Sequence, residues 1–163
     1  MNRPLIVGIT GGIGSGKSTL SNKLRAEGYQ VYDSDKEAKK LQNEHPVIRE
    51  KIQQLFGDDI YTDSGLDRKK VADLVFLNRD LLHQLNQIVH PFVREDFIKW
   101  VEQHAAEKFL FMESAILFES GFNDLVDKVI LMMASEDVRI KRVVKRDGID
   151  PEKVRARISK QLP

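Results

Sequence analysis

The chain has 163 residues, of which 41% are hydrophobic and 31% charged, and its net charge is +1. This composition is typical of one soluble domain with a hydrophobic core, and the near-neutral charge gives no global case for a nucleic-acid partner. The apolar runs are too short to span a bilayer, which excludes a membrane-spanning protein. The chain has no cysteine, which excludes disulfides and thiol nucleophiles. We therefore expect a cytoplasmic protein.

The first predicted elements are a strand, a glycine-rich loop and a helix. Residues 4–9 form a short, β-branched apolar run typical of a buried parallel strand, and residues 20–26 have helical spacing. Between them, Gly11-x-x-x-x-Gly16-Lys17-Ser18 matches the phosphate-binding P-loop pattern in full. A flexible glycine turn is the alternative, but it does not explain the strand and helix on either side.

The P-loop predicts a nucleotide site. Its backbone N–H groups and the helix N-terminus are expected to bind phosphate, with Lys17 on the β- and γ-phosphates and Ser18 on Mg²⁺. The predicted nucleotide-binding residues are Gly11, Gly12, Ile13, Gly14, Ser15, Gly16, Lys17, Ser18 and Thr19.

A second strand is predicted over residues 29–33, and it ends in Asp33-Ser34-Asp35 with a helix beginning at once. Ligands of open α/β sheets collect at the carboxyl ends of the strands, so both carboxylates are expected to face the same crevice as the P-loop. Helix capping is the competing role for these residues.

The middle of the chain is predicted to be helical. His45-Pro46 begins one helix, Gly57-Asp58-Asp59 ends it, and residues 67–107 have helical spacing throughout. We therefore expect a helical insertion over 58–107. Pro91 should begin a new helix, which puts His90 at a joint where packing competes with ligand binding.

Two further strands, over 109–113 and 128–134, are apolar enough to be buried, and they complete a core of residues 1–57 and 108–135. Glu113 ends the first of them and either holds Mg²⁺ through water or meets solvent. Residues 136–163 form the predicted lid region. From 139 to 160, nine basic residues oppose three acidic ones, and Arg139, Arg142 and Arg146 share one helix face, which is either a phosphate-binding lid or a solvated surface.

The predicted fold class is α/β, a P-loop NTPase-like three-layer parallel sheet with a helical acceptor-binding insertion and a basic lid helix. Neither N-K-x-D nor D-x-x-G occurs, which argues against a GTPase. A small-molecule kinase remains.

Five segments in order make the chain resemble the dephospho-CoA kinase family. They are the P-loop, Asp33-Ser34-Asp35, His90-Pro91 with Arg94, Ile116-Leu117-Phe118-Glu119, and 142–148 ending in Lys145-Arg146-Asp147-Gly148. The resemblance implies transfer of the ATP γ-phosphate to the ribose 3′-hydroxyl of dephospho-CoA, with Mg²⁺ as cofactor. A kinase of another small hydroxyl acceptor, such as a nucleoside or a shikimate-like metabolite, and a non-catalytic ATP-dependent interaction module are the alternatives.

The resemblance also implies site residues. Asp33 would be the catalytic base, acting with Lys17, Arg142 and Arg146, while Asp35 would organise the acceptor or the metal. Family members continue past 161–163 through a further strand and helix, so we expect the sheet to lack one element. The substrate-binding residues that the family implies are Thr10, Asp33, Asp35, His90, Arg94, Leu117, Phe118 and Glu119.

Overall fold

The structure is a computed structural model that describes residues 3–12 and 14–159, without the side chains of 157–159. The predicted order of strands and helices is confirmed, and a short hairpin over residues 61–66 was not predicted. In chain order the elements are β1 Leu5–Gly11, α1 Lys17–Ala26, β2 Gln30–Asp33, α2 Ser34–Glu44, α3 Pro46–Phe56, a 3₁₀ turn Asp58–Ile60, β3 Tyr61–Thr62, β4 Gly65–Leu66, α4 Arg68–Leu77, α5 Arg79–Gln103, β5 Phe109–Glu113, a 3₁₀ turn Phe122–Leu125, β6 Lys128–Met132, α6 Glu136–Asp147 and α7 Pro151–Ser159.

The chain divides into two compact units, one formed by residues up to Asp35 and from Val101 on, the other by Lys36–Trp100. The first unit contains a parallel four-stranded sheet in the order β2-β5-β1-β6. In its register Glu113 lies opposite Asp33 on one side and Ile9 on the other. The carboxyl ends of three strands therefore meet at one edge of the sheet, beside the P-loop.

The core of the first unit lies between the sheet and α1. Val7, Ile9 and Phe111 are buried, and Leu20 and Leu24 of α1 pack against them. These apolar residues recur every second position in the strand and every fourth in the helix, which gives each element one buried face. The helix that follows the P-loop is thus fixed to the sheet by its apolar side.

Strand β6 departs from the prediction that it is buried. It lies at the edge of the sheet, and Val129, Ile130 and Leu131 are exposed. Its apolar run is typical of a strand with neighbours on both sides, whereas within the described residues β6 pairs only with β1 and its outer side is exposed.

The second unit begins at Lys36 and not at the predicted residue 58. Contacts of α2 explain the difference, because Tyr61 Oη donates to the carbonyl of Gln42 (2.7 Å) and Arg68 Nη2 donates to that of Lys39 (3.0 Å). These bonds tie α2 to the hairpin and to α4. That the unit binds the acceptor stays a prediction.

The prediction of a helix break at Pro91 is wrong. Helix α5 runs through it, and Leu85, Val89, Val93 and Phe97 form an unbroken buried row four residues apart. Pro91 lies on the exposed side, where the loss of one N–H is tolerated while packing holds the helix together. Within the described residues no helix has the length and apolar character needed to cross a bilayer.

Candidate active site

The loop between β1 and α1 presents an open helix N-terminus. Gly14 and Gly16 have φ of 76° and 100°, values in the left-handed region that favours glycine. Gly16 is the N-cap of α1, and no side chain of the described residues caps that helix. The first-turn N–H groups are thus not taken up by a cap, which suits an anion such as phosphate.

The glycines also let helix α6 approach the loop. A Cβ on Gly14 would lie 2.3 Å from the carbonyl oxygen of Arg139, and one on Gly12 would lie 1.8 Å from its Nη2. Neither distance allows a normal contact. Arg139 therefore packs directly on the P-loop. The sequence had placed it on one helix face with Arg142 and Arg146 and gave no sign of this separate contact.

Lys17 begins α1 and lies beneath the loop. Its Nζ donates to the carbonyl oxygens of Gly11 (2.8 Å) and Gly12 (3.2 Å). Burial lowers the pKa of Lys17, while the nearby carboxylates of Asp35 and Glu113 partly offset that effect. The ammonium group is thus a cation whose charge is poorly hydrated, and a phosphate beside it would replace the missing water.

A cavity of about 290 Å³ lies in front of the helix N-terminus, and we call it the phosphate cavity. Arg142 and Arg146 of α6 complete its wall, and Arg142 Nη1 donates to the carbonyl of Gly14 (3.1 Å). The hydroxyl of Ser15 is buried and has no hydrogen-bond partner among the described residues. An anion with several oxygens matches these donors. The lining residues are Gly14, Ser15, Gly16, Lys17, Ser18, Thr19, Arg142 and Arg146.

Carboxylates approach the same loop from the strand ends. Ser18 Oγ donates to Oε1 of Glu113 (3.2 Å), and Ser34 Oγ donates to the backbone carbonyl of Glu113 (2.8 Å). The second bond joins the first turn of α2 to β5 and is fully buried. Ser34 therefore has a structural role, while Glu113 is held against the predicted magnesium ligand.

Asp35 and Asp33 form a pair of acids at the end of β2. Burial raises the pKa of Asp35, and the neighbouring charge of Asp33 raises it further, although Lys17 and an N–H from Ala115 favour its ionised form. Two carboxylates held together beside a lysine exceed what a helix cap requires. The arrangement suits handling of a proton or a cation.

These oxygens fit a magnesium ion. The hydroxyl of Ser18 and the carboxylates of Glu113 and Asp35 are hard oxygen ligands, the type that Mg²⁺ prefers. No group of three metal-ligating His, Cys, Asp or Glu side chains occurs within the described residues. In nucleotide sites Mg²⁺ is commonly held by one or two carboxylates, and water and substrate phosphates complete its shell.

A second cavity of about 250 Å³ lies on the other side of the P-loop. Thr10, Phe118 and Glu119, which the resemblance assigns to the substrate, line it together with Arg139. Leu117, in contrast, is fully buried against Gly8, whose missing Cβ would lie 2.9 Å from it, so its side chain has a packing role.

A family model described as CoaE, dephospho-CoA kinase, matches residues 5–163. The chain belongs to the dephospho-CoA kinase family. The predicted family, the α/β parallel-sheet fold and the ATP-using kinase activity are confirmed, and the alternatives are not favoured.

Curated dephospho-CoA kinases show the likeness along most of the chain. The protein of Porphyromonas gingivalis is 45% identical over 96% of this chain and 77% of its own length. That of Chlorobaculum tepidum is 41% identical over 98% of this chain and 80% of its own length.

Solved structures agree on the fold. TT1252 from Thermus thermophilus superposes with a TM-score of 0.87 at 35% identity, covering 99% of this chain and 82% of that one. Dephospho-CoA kinase from Campylobacter jejuni gives 0.65 at 28% identity, covering 94% and 78%.

Three further residues of the dephospho-CoA kinase motifs are His90, Arg94 and Ile13. His90 and Arg94 belong to α5 of the second unit, where burial lowers the pKa of His90 and favours its neutral form. Ile13 lies outside the described residues. Sequence reasoning placed Arg139 on the face of the candidate lid helix with Arg142 and Arg146 but did not include it among the predicted site residues.

Proposed function

We propose that this dephospho-CoA kinase binds the ATP phosphates in the phosphate cavity and transfers the γ-phosphate to the ribose 3′-hydroxyl of dephospho-CoA. The observation that carries this proposal is the convergence of an uncapped helix N-terminus, Lys17 and two arginines on one cavity beside acids at two strand ends. Phosphoryl transfer is chiefly a matter of positioning and charge stabilisation, which these groups supply.

Asp33 is the proposed base. In the transfer step the 3′-oxygen attacks the γ-phosphorus, its proton passes to a carboxylate oxygen of Asp33, and the bond from the γ-phosphorus to the bridging oxygen breaks to release ADP. Lys17, Arg142 and Arg146 hold the charge that develops on the transferred group and on the leaving oxygen. Asp35, beside the base, organises the acceptor or the metal.

Mg²⁺ belongs to the same proposal. Ser18 and Glu113 would hold it, with Asp35 as a further oxygen ligand. When bound, the ion neutralises charge on the phosphate oxygens. Because the chain has no cysteine and the reaction consumes ATP, we also propose a cytoplasmic location.

The second cavity is the proposed acceptor side, and Thr10, Phe118 and Glu119 line it. His90 and Arg94, on α5 of the second unit, stay proposed substrate-binding residues on the family resemblance alone. Apolar walls with few polar groups are typical of a site for an organic ligand.

The test is release of ADP from Mg-ATP with and without dephospho-CoA, run beside a panel of nucleosides and shikimate. We expect ADP release that depends on dephospho-CoA. Lys17→Ala should weaken both ATP binding and transfer, and Arg142→Ala should slow transfer at an unchanged melting temperature. Lys145→Ala, an exposed cation on the same helix, is the matched control and should behave as wild type.

Other outcomes would favour one of the alternative functions. ADP release that depends on another acceptor would keep the kinase and replace its substrate. ATP binding with no acceptor-dependent ADP would favour the interaction module.

A further inference from the structure

Arg146 and Asp147 form a paired contact at the end of α6. Arg146 Nε donates to Oδ1 of Asp147 (2.9 Å) and its Nη2 donates to Oδ2 (3.0 Å). Two parallel bonds between planar groups fix the orientation of the guanidinium as well as its position. The pair joins two residues of the same helix, so it needs no contact from another element.

The end of the helix is itself fixed. Gly148 follows in a left-handed conformation (φ 65°) and its N–H donates to the carbonyl of Val144 (2.9 Å). This C-cap holds the backbone of Asp147 in place. Below it, Val143 is fully buried against Val154 of α7, which anchors α6. The backbone that carries Asp147 is thus fixed, and its carboxylate is oriented by the two bonds to Arg146.

The pair leaves part of the guanidinium available. Arginine has five N–H groups, and Asp147 uses the Nε edge, so the edge formed by Nη1 and the second hydrogen of Nη2 stays open for a second bidentate partner. Arg146 lines the phosphate cavity, where such a partner would be a phosphate. Arg142 is tethered in a similar way, by Nη1 to the carbonyl of Gly14.

We propose that Asp147 is a positioning residue for phosphoryl transfer, which holds the guanidinium of Arg146 by one edge so that the other edge meets the transferred phosphate. The inference rests on the proposed function, since it needs Arg146 at the phosphates. A flexible arginine must be ordered in each catalytic cycle, and a tethered one is ordered beforehand.

The experiment is a double-mutant cycle with Asp147→Asn and Arg146→Ala, read as kcat, as KM for ATP and for dephospho-CoA, and as melting temperature. For Asp147→Asn we expect kcat to fall roughly ten-fold with KM for dephospho-CoA unchanged, as for an interaction made in the transition state. The melting temperature should stay at the wild-type value. In the Arg146→Ala background, the Asp147→Asn substitution should cost nothing further, because Asp147 acts through Arg146.

Asp137→Asn is the matched control, since Asp137 is an exposed acid on the first turn of the same helix and its loss changes net charge equally. It should leave kcat unchanged. An equal loss in Asp137→Asn would make the effect one of net charge and overturn the proposal.

Three further outcomes overturn it. If Asp147→Asn has the wild-type kcat while Arg146→Ala is impaired, the contact between Asp147 and Arg146 does not contribute to transfer. Faster transfer or tighter ATP binding in Asp147→Asn would mean that the carboxylate competes with phosphate. A full additional loss in the Arg146→Ala background would mean that Asp147 acts elsewhere.

The failure of the proposed function is recognised separately. Wild-type enzyme that releases no ADP in response to dephospho-CoA would overturn the function itself. If the wild-type enzyme is active and Arg146→Ala transfers phosphate at the same rate, Arg146 has no part in transfer. The proposed positioning role of Asp147 would then be wrong, while the proposed function would stand.

Discussion

Ser18 and Glu113 lie 95 positions apart in the chain, and the hydroxyl of Ser18 donates a hydrogen bond of 3.2 Å to the carboxylate of Glu113. The parallel register of β1 and β5, which puts Glu113 opposite Ile9, brings the acid to the start of α1. A hydroxyl and a carboxylate in this position are suited to share one magnesium ion, directly or through water.

We expect Glu113→Gln to slow transfer by about 100-fold and to raise the Mg²⁺ concentration needed for half-maximal rate, because the amide keeps the shape but loses the charge. The measurement is ADP release against Mg²⁺ concentration. Glu107→Gln, at an exposed position before β5, serves as the control. An unchanged Mg²⁺ dependence would exclude Glu113 from the metal site.

Asp33→Asn should retain ATP binding and lose transfer by roughly 100-fold or more, the usual scale for a catalytic base. The amide cannot take the proton from the 3′-hydroxyl, whereas ATP contacts made by Lys17 and the loop are untouched. Calorimetric titration of ATP and single-turnover transfer separate the two effects. Near-normal turnover would remove Asp33 from the mechanism.

Gly14→Ala should be far more harmful than Gly12→Ala. Alanine at position 14 would adopt an unfavourable left-handed φ, at a cost of about 1–2 kcal/mol, and its Cβ would meet the backbone oxygen of Arg139, which cannot move aside. At position 12 the added Cβ meets only the flexible end of the Arg139 side chain. Melting temperature and ATP affinity should both fall in Gly14→Ala and stay near wild type in Gly12→Ala. Equal losses in the two variants would show that the Arg139 side chain is rigidly held.

The carboxylate of Asp127 is expected to make the stability of the fold depend on pH. The N–H of Ile6 donates to its carboxylate (2.8 Å), and that bond, with the contact to Arg3, lowers its pKa below the ordinary 3.8. A lowered pKa in the folded state stabilises the fold above pH 3.8, and this contribution is lost as the pH falls through the folded-state value.

Asp127→Asn should therefore lower the melting temperature by about 2–6 °C at pH 7, the scale expected for a hydrogen bond to a charged group. The difference from wild type should shrink below about pH 4. Thermal melts from pH 3 to 8 provide the measurement, with Asp63→Asn, at an exposed hairpin position, as control. A difference independent of pH would mean that the charge of Asp127 does not matter.

Pro91→Ala should raise the melting temperature, because alanine restores an N–H to helix α5 and removes the clash of the ring with the preceding turn. If the proline positions His90 for the acceptor, KM for dephospho-CoA should rise while KM for ATP stays constant. Steady-state kinetics with each substrate varied provide the test. A destabilised variant would show that the helix depends on the proline.

Much of the site was predictable because its signals are local. The P-loop spacing predicted the loop and the start of α1, since glycines with positive φ and a helix N-terminus are properties of a few adjacent residues. Asp33, Asp35 and Glu113 were predictable as strand-end acids because parallel strands share one carboxyl edge.

Other features were not predictable because they depend on packing partners. The sequence treats Arg139, Arg142 and Arg146 as one face of α6, but in the tertiary structure Arg139 contacts Gly12 and lines the second cavity, while the other two line the phosphate cavity. The spacing of three arginines along a helix does not indicate which residues each of them contacts in the folded chain.

The sequence by itself determined the family and the order of the main strands and helices, and it predicted the phosphate site. Only the tertiary structure decided that β6 lies at the sheet edge, that α5 continues through Pro91, and that Glu113 binds Ser18. The physical reason is range. Backbone conformation and residue chemistry are set within a few neighbours, whereas edge position, tolerance of a proline and contact across 95 residues follow from which surfaces the folded chain buries together.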